Sequence, residues 1–341
     1  MTPWNPALMR SWFVVARSRQ IGNKPFAVTL LDRPLVIARD RQSGLMALDD
    51  CCPHRHVPLS LGRMTDEGLQ CAYHGWTFGS DGRCVSVPGL MPSACSPFAQ
   101  VGTVGVMEHD GLVWVKLDDR QSTQDGTLPA FLQRLPPSGL RFVWQSTWRA
   151  RAVDALENFL DAQHTHFVHA GLVRSGQRRN VVEATVTTSQ GSLQVDYRGQ
   201  PTQSGWLYRL FESPREVERA HFCSRAAGTA QLEYRYQDGS ALYFTLHFSP
   251  IDKTHVRVHG TLHVENRWAP SWALRLIAWL FLRRVLVQDQ AIVEAQRENK
   301  ERFGRNEGLS TELDLVKPAL DEIWVSSGSP CSELSIVRML V

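Results

Sequence analysis

Two short segments decide the fold of this chain: CPHR at positions 52–55 and CAYHGW at positions 71–76. Each segment contains one cysteine and one histidine, with one residue between them in the first segment and two in the second. Two thiolates and two imidazoles on tight turns can together close a four-ligand metal site. The candidate ligands are Cys52, His54, Cys71 and His74.

Two kinds of metal centre take this donor set. A structural zinc ion can bind two cysteines and two histidines. A [2Fe–2S] cluster can also do so, with the histidines on one iron and the cysteines on the other. Zinc fingers usually supply two cysteines and then, from a helix, two histidines. Here each segment supplies one of each within strand-like sequence, and this arrangement favours the cluster.

The spacing and the flanking residues of both segments resemble the cluster-binding motif of Rieske proteins. The resemblance implies that Cys52 and Cys71 bind one iron of a [2Fe–2S] cluster and that His54 and His74 bind the other. Neighbouring side chains fall outside the motif. We expect no metal role for Cys51, His56, Cys84 and Cys95.

Composition narrows the class of protein. A length of 341 residues predicts two domains, and 43% hydrophobic with 21% charged residues is typical of a soluble globular enzyme. A net charge of +3 without a run of basic residues argues against nucleic-acid binding. Residues Met1–Arg10 do not resemble a secretory signal, and the seven cysteines then favour a reducing compartment, the cytoplasm.

Short strands separated by turns occupy the first part of the chain. Phe26–Leu31 and Leu35–Arg39 predict a hairpin across Asp32-Arg33-Pro34, and further strands are expected around 69–78 and 112–117. We therefore predict an all-β domain over residues 1–118. Residues 119–140 are polar and contain three prolines, which indicates a linker before a second domain at 141–341.

The second domain combines strands with a long helix. Alternating apolar residues at 232–236 and 242–248 flank Asp238-Gly239 and predict a hairpin. Trp272–Arg302 contains neither glycine nor proline and predicts one helix. Its apolar stretch Trp272–Val287 contains three arginines and is shorter than the ~20 residues of a membrane span, so we expect a buried helix of a soluble domain.

Two histidines of the second domain are candidate metal ligands. The sequence from Val153 to about Phe167 is helical in composition, and a helix would place Asn158, Asp161 and His164 on one face. His169 would then be rotated by about 140° from His164. A π-bulge or the end of the helix must therefore fall between the two histidines, and Gly171 suits a helix end.

A carboxylate in the long helix completes this site. Asp289 has mostly apolar residues three, four and seven positions away, and a carboxylate on a buried stripe is costly unless it is paired. Glu294, the competing acid, has polar and charged neighbours and is expected to face solvent. Two histidines and one carboxylate form the ligand set of non-haem Fe(II) oxygenases, which leaves positions open for O₂ and substrate.

With this site, nearly the whole chain resembles the catalytic (α) subunit of Rieske non-haem iron oxygenases. Asp161-x-x-His164-x-x-x-x-His169 is similar to the iron motif of that family, and Asp289 matches its carboxylate ligand. Gln288 departs from the family, because many relatives have glutamate before the aspartate. The resemblance implies an α+β fold: an all-β Rieske domain and a catalytic domain with an antiparallel sheet and a helix, similar to a helix grip.

The resemblance also implies a function. The chain would be the terminal oxygenase component that uses O₂, and electrons from NAD(P)H through a reductase or ferredoxin, to hydroxylate or demethylate a small aromatic or hydrophobic substrate. The compact length resembles the vanillate O-demethylase-like members and implies a homotrimer. Asp161 would link His74 of one subunit to His164 of the next, and Asn158 would either approach the iron or pack in the helix.

Three alternatives stay open at this point. They are a Rieske electron-transfer protein with a non-catalytic binding domain, a structural zinc protein, and a membrane-attached oxygenase. The substrate is not determined, because aromatic residues in strands are mostly core and an arginine is most often solvated. The candidate pocket residues are Trp206, Tyr208, Arg209, Phe211, Arg215, Phe222, Tyr234 and Tyr243.

Overall fold

The structure is a computed structural model, and the chain forms two compact units. One unit, here called the N-terminal unit, contains Met9–Thr127 and Ser249–Lys253; the C-terminal unit contains Met1–Leu8, Leu128–Phe248 and Thr254–Val341. The residues that the structure describes are 4–40, 44–91, 99–118, 128–135, 140–173, 180–189, 191–199, 215–265, 271–305, 308–325 and 333–340.

The N-terminal unit is built from three small antiparallel sheets. Their strand orders are β1-β10-β9, β2-β3-β4 and β5-β6-β7-β8. The strands are β1 Phe13–Arg17, β2 Phe26–Leu30, β3 Arg33–Asp40, β4 Gly44–Asp49, β5 Arg63–Met64, β6 Leu69–Gln70, β7 Thr77–Phe78, β8 Cys84–Ser86, β9 Gly105–His109 and β10 Leu112–Lys116.

The predicted first hairpin is present, but its turn is one residue earlier and shorter than expected. Leu31 and Asp32 connect β2 to β3 with φ values of 52° and 64°. Two consecutive residues with positive φ form the turn type whose twist matches that of paired strands. Pro34, predicted in the turn, instead pairs with Thr29 inside the hairpin.

The two cysteine–histidine segments lie next to strands of two of these small sheets. The CPHR segment follows β4, and CAYHGW connects β6 to β7. Both candidate cysteines belong to the apolar core of this region. That core contains Val36, Ala38, Met46, Leu48, Cys52, Leu59, Leu69, Cys71, Phe78 and Val101.

The C-terminal unit is built around one sheet of eight strands in the order β11-β17-β16-β15-β14-β13-β12-β18. These strands are β11 Leu140–Trp148, β12 Val181–Ser189, β13 Ser192–Arg198, β14 Arg215–Cys223, β15 Thr229–Tyr236, β16 Ala241–Pro250, β17 Val256–Glu265 and β18 Glu333–Leu340. The α-helices among the described residues are α1 Pro6–Met9, α2 Ala130–Gln133, α3 Ala152–Leu160, α4 Ser271–Phe303 and α5 Lys317–Trp324.

The two faces of this sheet differ in polarity. In the predicted and observed β15–β16 hairpin, Gln231 pairs with Thr245 on one face and Leu232 pairs with Phe244 on the other. The ring of Phe159 from α3 lies 5.4 Å from that of Phe244. We call the face that contacts α3 the apolar face; its residues include Trp144, Ala230, Leu232, Phe244, Leu246, Phe248 and Gly260.

Helix α4 is one continuous helix, as predicted, but three described apolar side chains of its first half are exposed. Leu276, Trp279 and Leu280 are 53%, 56% and 52% exposed. The expectation of a buried helix was therefore wrong for these residues, because an apolar run does not specify whether another element covers it. Among the described residues, no helix is both long and apolar enough to cross a membrane.

Candidate metal centres

The two cysteine–histidine segments fold into similar tight loops. In the first, the Cys52 N–H donates to the carbonyl of Val57 at 3.0 Å and the carbonyl of Cys52 accepts from the His56 N–H at 2.8 Å. In the second, the Cys71 N–H donates to the Trp76 carbonyl at 2.8 Å. These bonds turn each loop so that its cysteine and histidine project to the same side.

The four predicted side chains converge at the end of these loops. Cys52 and Cys71 are 2% and 4% exposed, and burial, together with the neighbouring Cys71 thiol, raises the pKa of the Cys52 thiol. The rings of His54 and His74 lie 4.6 Å apart, and the ring of His54 stacks on Trp76 at 4.7 Å.

The chemistry of this donor set fits a [2Fe–2S] cluster. Nδ1 of His54 is buried and has no hydrogen-bond partner within the described ranges, which is unusual for a buried polar atom. Two neighbouring thiols and two neighbouring imidazoles supply the two ligand pairs that such a cluster needs. The residues expected to have no metal role contact other groups: Cys51 Sγ lies 3.5 Å from His56 Nδ1, and Cys84 Sγ lies 3.6 Å from the Ser86 carbonyl. Cys95 lies outside the described residues.

In the C-terminal unit, helix α3 ends at Leu160, earlier than predicted. Asp161 has extended backbone angles, φ −75° and ψ 121°, and a short 3₁₀ turn follows at His164–His166. The Asp161 carboxylate accepts hydrogen bonds from the N–H groups of Gln163 at 2.8 Å and His164 at 3.1 Å. An aspartate that binds nearby backbone N–H groups competes with helix continuation. The expected single helical face of Asn158, Asp161 and His164 is therefore not formed.

The early helix end brings together the three residues predicted as iron ligands. One ligand atom from each of His164, His169 and Asp289 lies within 4.8 Å of the other two. Nε2 of His169 is 3.0 Å and Nε2 of His164 is 3.4 Å from Oδ1 of Asp289. Asp289 is 6% exposed on a stripe with Val285 and Val293, so the predicted buried position of this carboxylate is confirmed.

The charges at this site suit a divalent cation. Burial by itself would raise the pKa of Asp289, but hydrogen bonds and charge from the two imidazoles lower it to about 2. Burial by itself would lower the pKa of His164, but Asp289 and Asp161 outweigh that effect and raise it. A buried carboxylate that stays ionised between two imidazoles is a donor set that binds Fe(II) and leaves other coordination positions open.

Hydrogen bonds orient each of the three side chains. Nδ1 of His164 lies 2.6 Å from the backbone carbonyl of Asp161, and Nδ1 of His169 lies 2.9 Å from Oε1 of Gln288. Asn158 Nδ2 donates to Asp289 Oδ1 at 3.1 Å. The carboxylate of Asp161, expected to bind His164, is 3.9 Å from its Nδ1, and the carbonyl of the same residue makes the bond instead.

Gln288 is a site residue that the sequence did not identify. The sequence showed it as a departure from related chains at the position before Asp289, and nothing in the sequence alone connected it to His169. Glu294, the competing acid, is half-buried and accepts hydrogen bonds from the Arg149 N–H at 3.0 Å and from Gln290 at 2.8 Å, neither of which is a candidate iron ligand.

The structure describes four of the eight candidate pocket residues. Arg215, expected to be solvated, is buried and paired with Glu218, and its guanidinium lies 4.7 Å from the Tyr234 ring. Phe222 is buried, and Tyr243 shares the polar face of the sheet with Glu233. The remaining four candidates lie outside the described residues: Trp206, Tyr208, Arg209 and Phe211.

A cleft of about 420 Å³ adjoins the iron-site helices within the C-terminal unit. It lies between α3 and α4, so it borders Asn158 and Asp161. The other residues on its walls include Glu157, Gln163, Tyr197, Ile292, Gln296, Asp314 and Met339.

Comparison with known proteins agrees with these two centres. Residues 11–116 match the family model described as Rieske [2Fe-2S] domain, and residues 148–319 match the model described as Vanillate O-demethylase oxygenase C-terminal domain. The oxygenase component of dicamba O-demethylase from Stenotrophomonas maltophilia is 32% identical over 167 residues, which cover 47% of each chain. Methylxanthine N3-demethylase NdmB from Pseudomonas putida is 27% identical over 98% of this chain and 89% of its own length.

Solved structures with the same fold come from the same group of proteins. Dicamba monooxygenase bound to dicamba has a TM-score of 0.76 at 21% identity, covering 93% of this chain and 96% of that one. NdmA from Pseudomonas putida with caffeine has a TM-score of 0.75 at 23% identity, covering 93% and 90%. The chain therefore belongs to the Rieske non-haem iron oxygenases, as a catalytic subunit whose cofactors are a [2Fe–2S] cluster and a mononuclear iron.

Proposed function

We propose that this chain is a terminal oxygenase component that hydroxylates or oxidatively demethylates a small, aromatic or hydrophobic molecule. The observation that carries the proposal is the buried cluster of His164, His169 and Asp289. A Rieske protein that only transfers electrons would not need a second set of metal ligands, two histidines and a carboxylate, in its other unit. Cys52, His54, Cys71 and His74 would hold a cluster that can supply single electrons, and His164, His169 and Asp289 would hold an iron with open positions for O₂.

Within this proposal, each predicted ligand has a role. Cys52 and Cys71 would hold one iron of the cluster, and His54 and His74 the other. His164, His169 and Asp289 would hold the mononuclear iron. The geometry supports these assignments, because the side chains meet in two groups and each group has the donor chemistry of its metal centre.

The chain's own residues would prepare the iron site. The carbonyl of Asp161 keeps the proton of His164 on Nδ1, so that Nε2 is free for the metal. Asn158 donates a hydrogen bond to Asp289 and so fixes the orientation of this carboxylate. Asn158 thus acts through Asp289 as a positioning residue.

Asp161 is also the candidate link between subunits. Its side chain is 38% exposed, and it borders the cleft between α3 and α4. His74, at the tip of the cluster, is exposed as well. We place the electron path from His74 of one subunit to Asp161 of the next in a homotrimer, with a cytoplasmic reductase or ferredoxin as donor and NAD(P)H as the source of electrons.

The polarity of the sheet supports an apolar substrate. On the central strands β15 and β16 the apolar face presents Ala230, Leu232, Phe244, Leu246 and Phe248, and Phe244 and Phe248 contact Phe159 of α3, the helix that precedes His164. The named relatives demethylate dicamba and methylxanthines. We therefore propose a planar aromatic or heterocyclic methyl ether or N-methyl compound as the first substrates to test.

We also propose the division of the chain at 1–118 for the cluster domain, 119–140 for the linker and 141–341 for the iron domain. The two family matches, to residues 11–116 and 148–319, support this division.

Metal analysis of anaerobically purified protein tests the proposal. We expect about three irons and two acid-labile sulfides per chain, the sum of one [2Fe–2S] cluster and one mononuclear site. Asp289→Ala should lose about one iron and no sulfide, while the matched control Glu294→Ala should lose neither. An equal iron content in wild type and Asp289→Ala, with or without added Fe(II), would contradict the proposed site.

A further inference from the structure

Gln288 contacts a candidate iron ligand directly. Its Oε1 lies 2.9 Å from Nδ1 of His169, whose residue exposure is 1%. An amide oxygen can only accept a hydrogen bond, so Nδ1 of His169 carries the proton. The lone pair is then on Nε2, the atom that lies 3.0 Å from Oδ1 of Asp289. We propose that Gln288 is a positioning residue that holds His169 in the tautomer able to bind the metal.

The two histidines of the site are held by different means. His164 is held by a backbone carbonyl, that of Asp161, and a substitution at position 161 does not remove this acceptor atom. His169 is held by a side chain, so the identity of residue 288 controls its tautomer and ring orientation. Water cannot easily replace this contact, because the imidazole is almost completely buried.

The position of Gln288 in helix α4 explains why it reaches His169. It immediately precedes Asp289, so one turn of the helix supplies both the carboxylate next to Nε2 of His169 and the hydrogen-bond acceptor for Nδ1 of His169. Hydrogen bonds to the outer nitrogen of a ligand histidine fix its orientation and typically change metal affinity about 10- to 100-fold when removed.

Glutamine makes this contact without adding a charge. A glutamate would accept the same hydrogen bond but would place a second carboxylate next to Asp289 in the chain. If the role of residue 288 is to accept a hydrogen bond, glutamate should replace glutamine, and a side chain of similar shape without an acceptor should not. This inference rests on the proposed iron site.

The test is the affinity for Fe(II), measured by anaerobic competition with a chelator on protein with an intact cluster. We expect Gln288→Met, which keeps the shape but removes the acceptor, to bind Fe(II) about 10- to 100-fold more weakly. Gln288→Glu should bind within about threefold of wild type or more tightly, because it restores the acceptor.

Gln290→Met is the matched control. Gln290 lies on the same helix, and its amide donates to Glu294 rather than to a candidate iron ligand. We expect its Fe(II) affinity to equal that of wild type. The visible spectrum of the cluster and the melting temperature are recorded for every variant. If Gln288→Met is unstable, Gln288→Ala takes its place.

The outcomes separate this inference from the proposed function. Wild type that binds no Fe(II) beyond its cluster overturns both. Wild type that binds Fe(II) with the same affinity as Gln288→Met overturns the role of Gln288 alone. Weak binding by Gln288→Glu as well as Gln288→Met would mean that the amide NH₂, which both variants lack, rather than an accepted hydrogen bond is what matters at this position, and would overturn the inference.

Discussion

Replacing Gly260 with alanine tests how tightly the apolar face of the sheet is packed. Gly260 pairs directly with Trp144, and a Cβ atom at this position would lie 2.1 Å from Cε2 and Cζ2 of the Trp144 ring. Carbon atoms pack at about 3.5–4.0 Å. The indole would therefore have to move by about 1.4 Å or more, which would change its stacking on the Phe244 ring, whose centroid lies 5.4 Å from that of Trp144.

The expected cost follows from this overlap. Forcing an extra methyl group into a packed site typically costs about 1–3 kcal/mol. For a unit of this size, that corresponds to a decrease in melting temperature of roughly 2–10 °C, which calorimetry of the holoenzyme can measure. The same displacement should alter substrate affinity if the apolar face forms the substrate wall.

A double-mutant cycle identifies the cause of the loss. In a Trp144→Leu background the ring is absent, so Gly260→Ala should cost less than about 0.5 kcal/mol. Gly239→Ala is the matched control. Gly239 has a φ of +78°, and a methyl group added there would meet no atom within 4 Å. Its cost is therefore backbone strain, which Trp144→Leu cannot relieve. An equal loss from Gly260→Ala in both backgrounds would refute the packing argument.

Two further predictions concern charged side chains. Burial would raise the pKa of Glu233, but hydrogen bonds from His221 and Arg235 lower it from 4.5 to about 2. This shift corresponds to about 3 kcal/mol of stability above pH 4.5, which is lost as the pH falls towards 2. Urea unfolding should therefore show that Glu233→Gln has a free energy of unfolding about 3 kcal/mol lower than wild type at pH 6, and that this difference narrows below pH 4.5. The control Glu183→Gln, whose side chain is 35% exposed, should change the free energy of unfolding by less than about 0.5 kcal/mol. Parallel pH profiles for Glu233→Gln and wild type would contradict this. Asp161→Ala should retain both metal centres and lose substrate turnover, measured as product formed per electron supplied; normal turnover would exclude Asp161 from the electron path.

Much of the N-terminal unit could be predicted from the sequence. The loops that carry Cys52, His54, Cys71 and His74 are short, and their ligands are close together in the chain, so local spacing was enough to indicate a four-ligand centre. The hairpin around Asp32 and, in the C-terminal unit, the hairpin around Asp238 were also recognisable, because turn residues between apolar runs have few alternatives. Two details differed: the first turn is at Leu31–Asp32, and the strand predicted around 69–78 is two short strands, β6 and β7, on either side of the CAYHGW loop.

The iron site depended on contacts between residues that are distant in the chain. The sequence by itself indicated that Asp289, a carboxylate on an otherwise apolar helical stripe, needs a partner, and that a metal ion shared with His164 and His169 would supply it. It could not show that α3 ends at Leu160, because the hydrogen bonds of the Asp161 carboxylate compete with a helix that composition alone would continue. It also could not connect Gln288 to His169, since 119 positions separate them. The tertiary structure decided that contact and the exposure of Leu276, Trp279 and Leu280 in α4, because both depend on which elements pack together rather than on local periodicity.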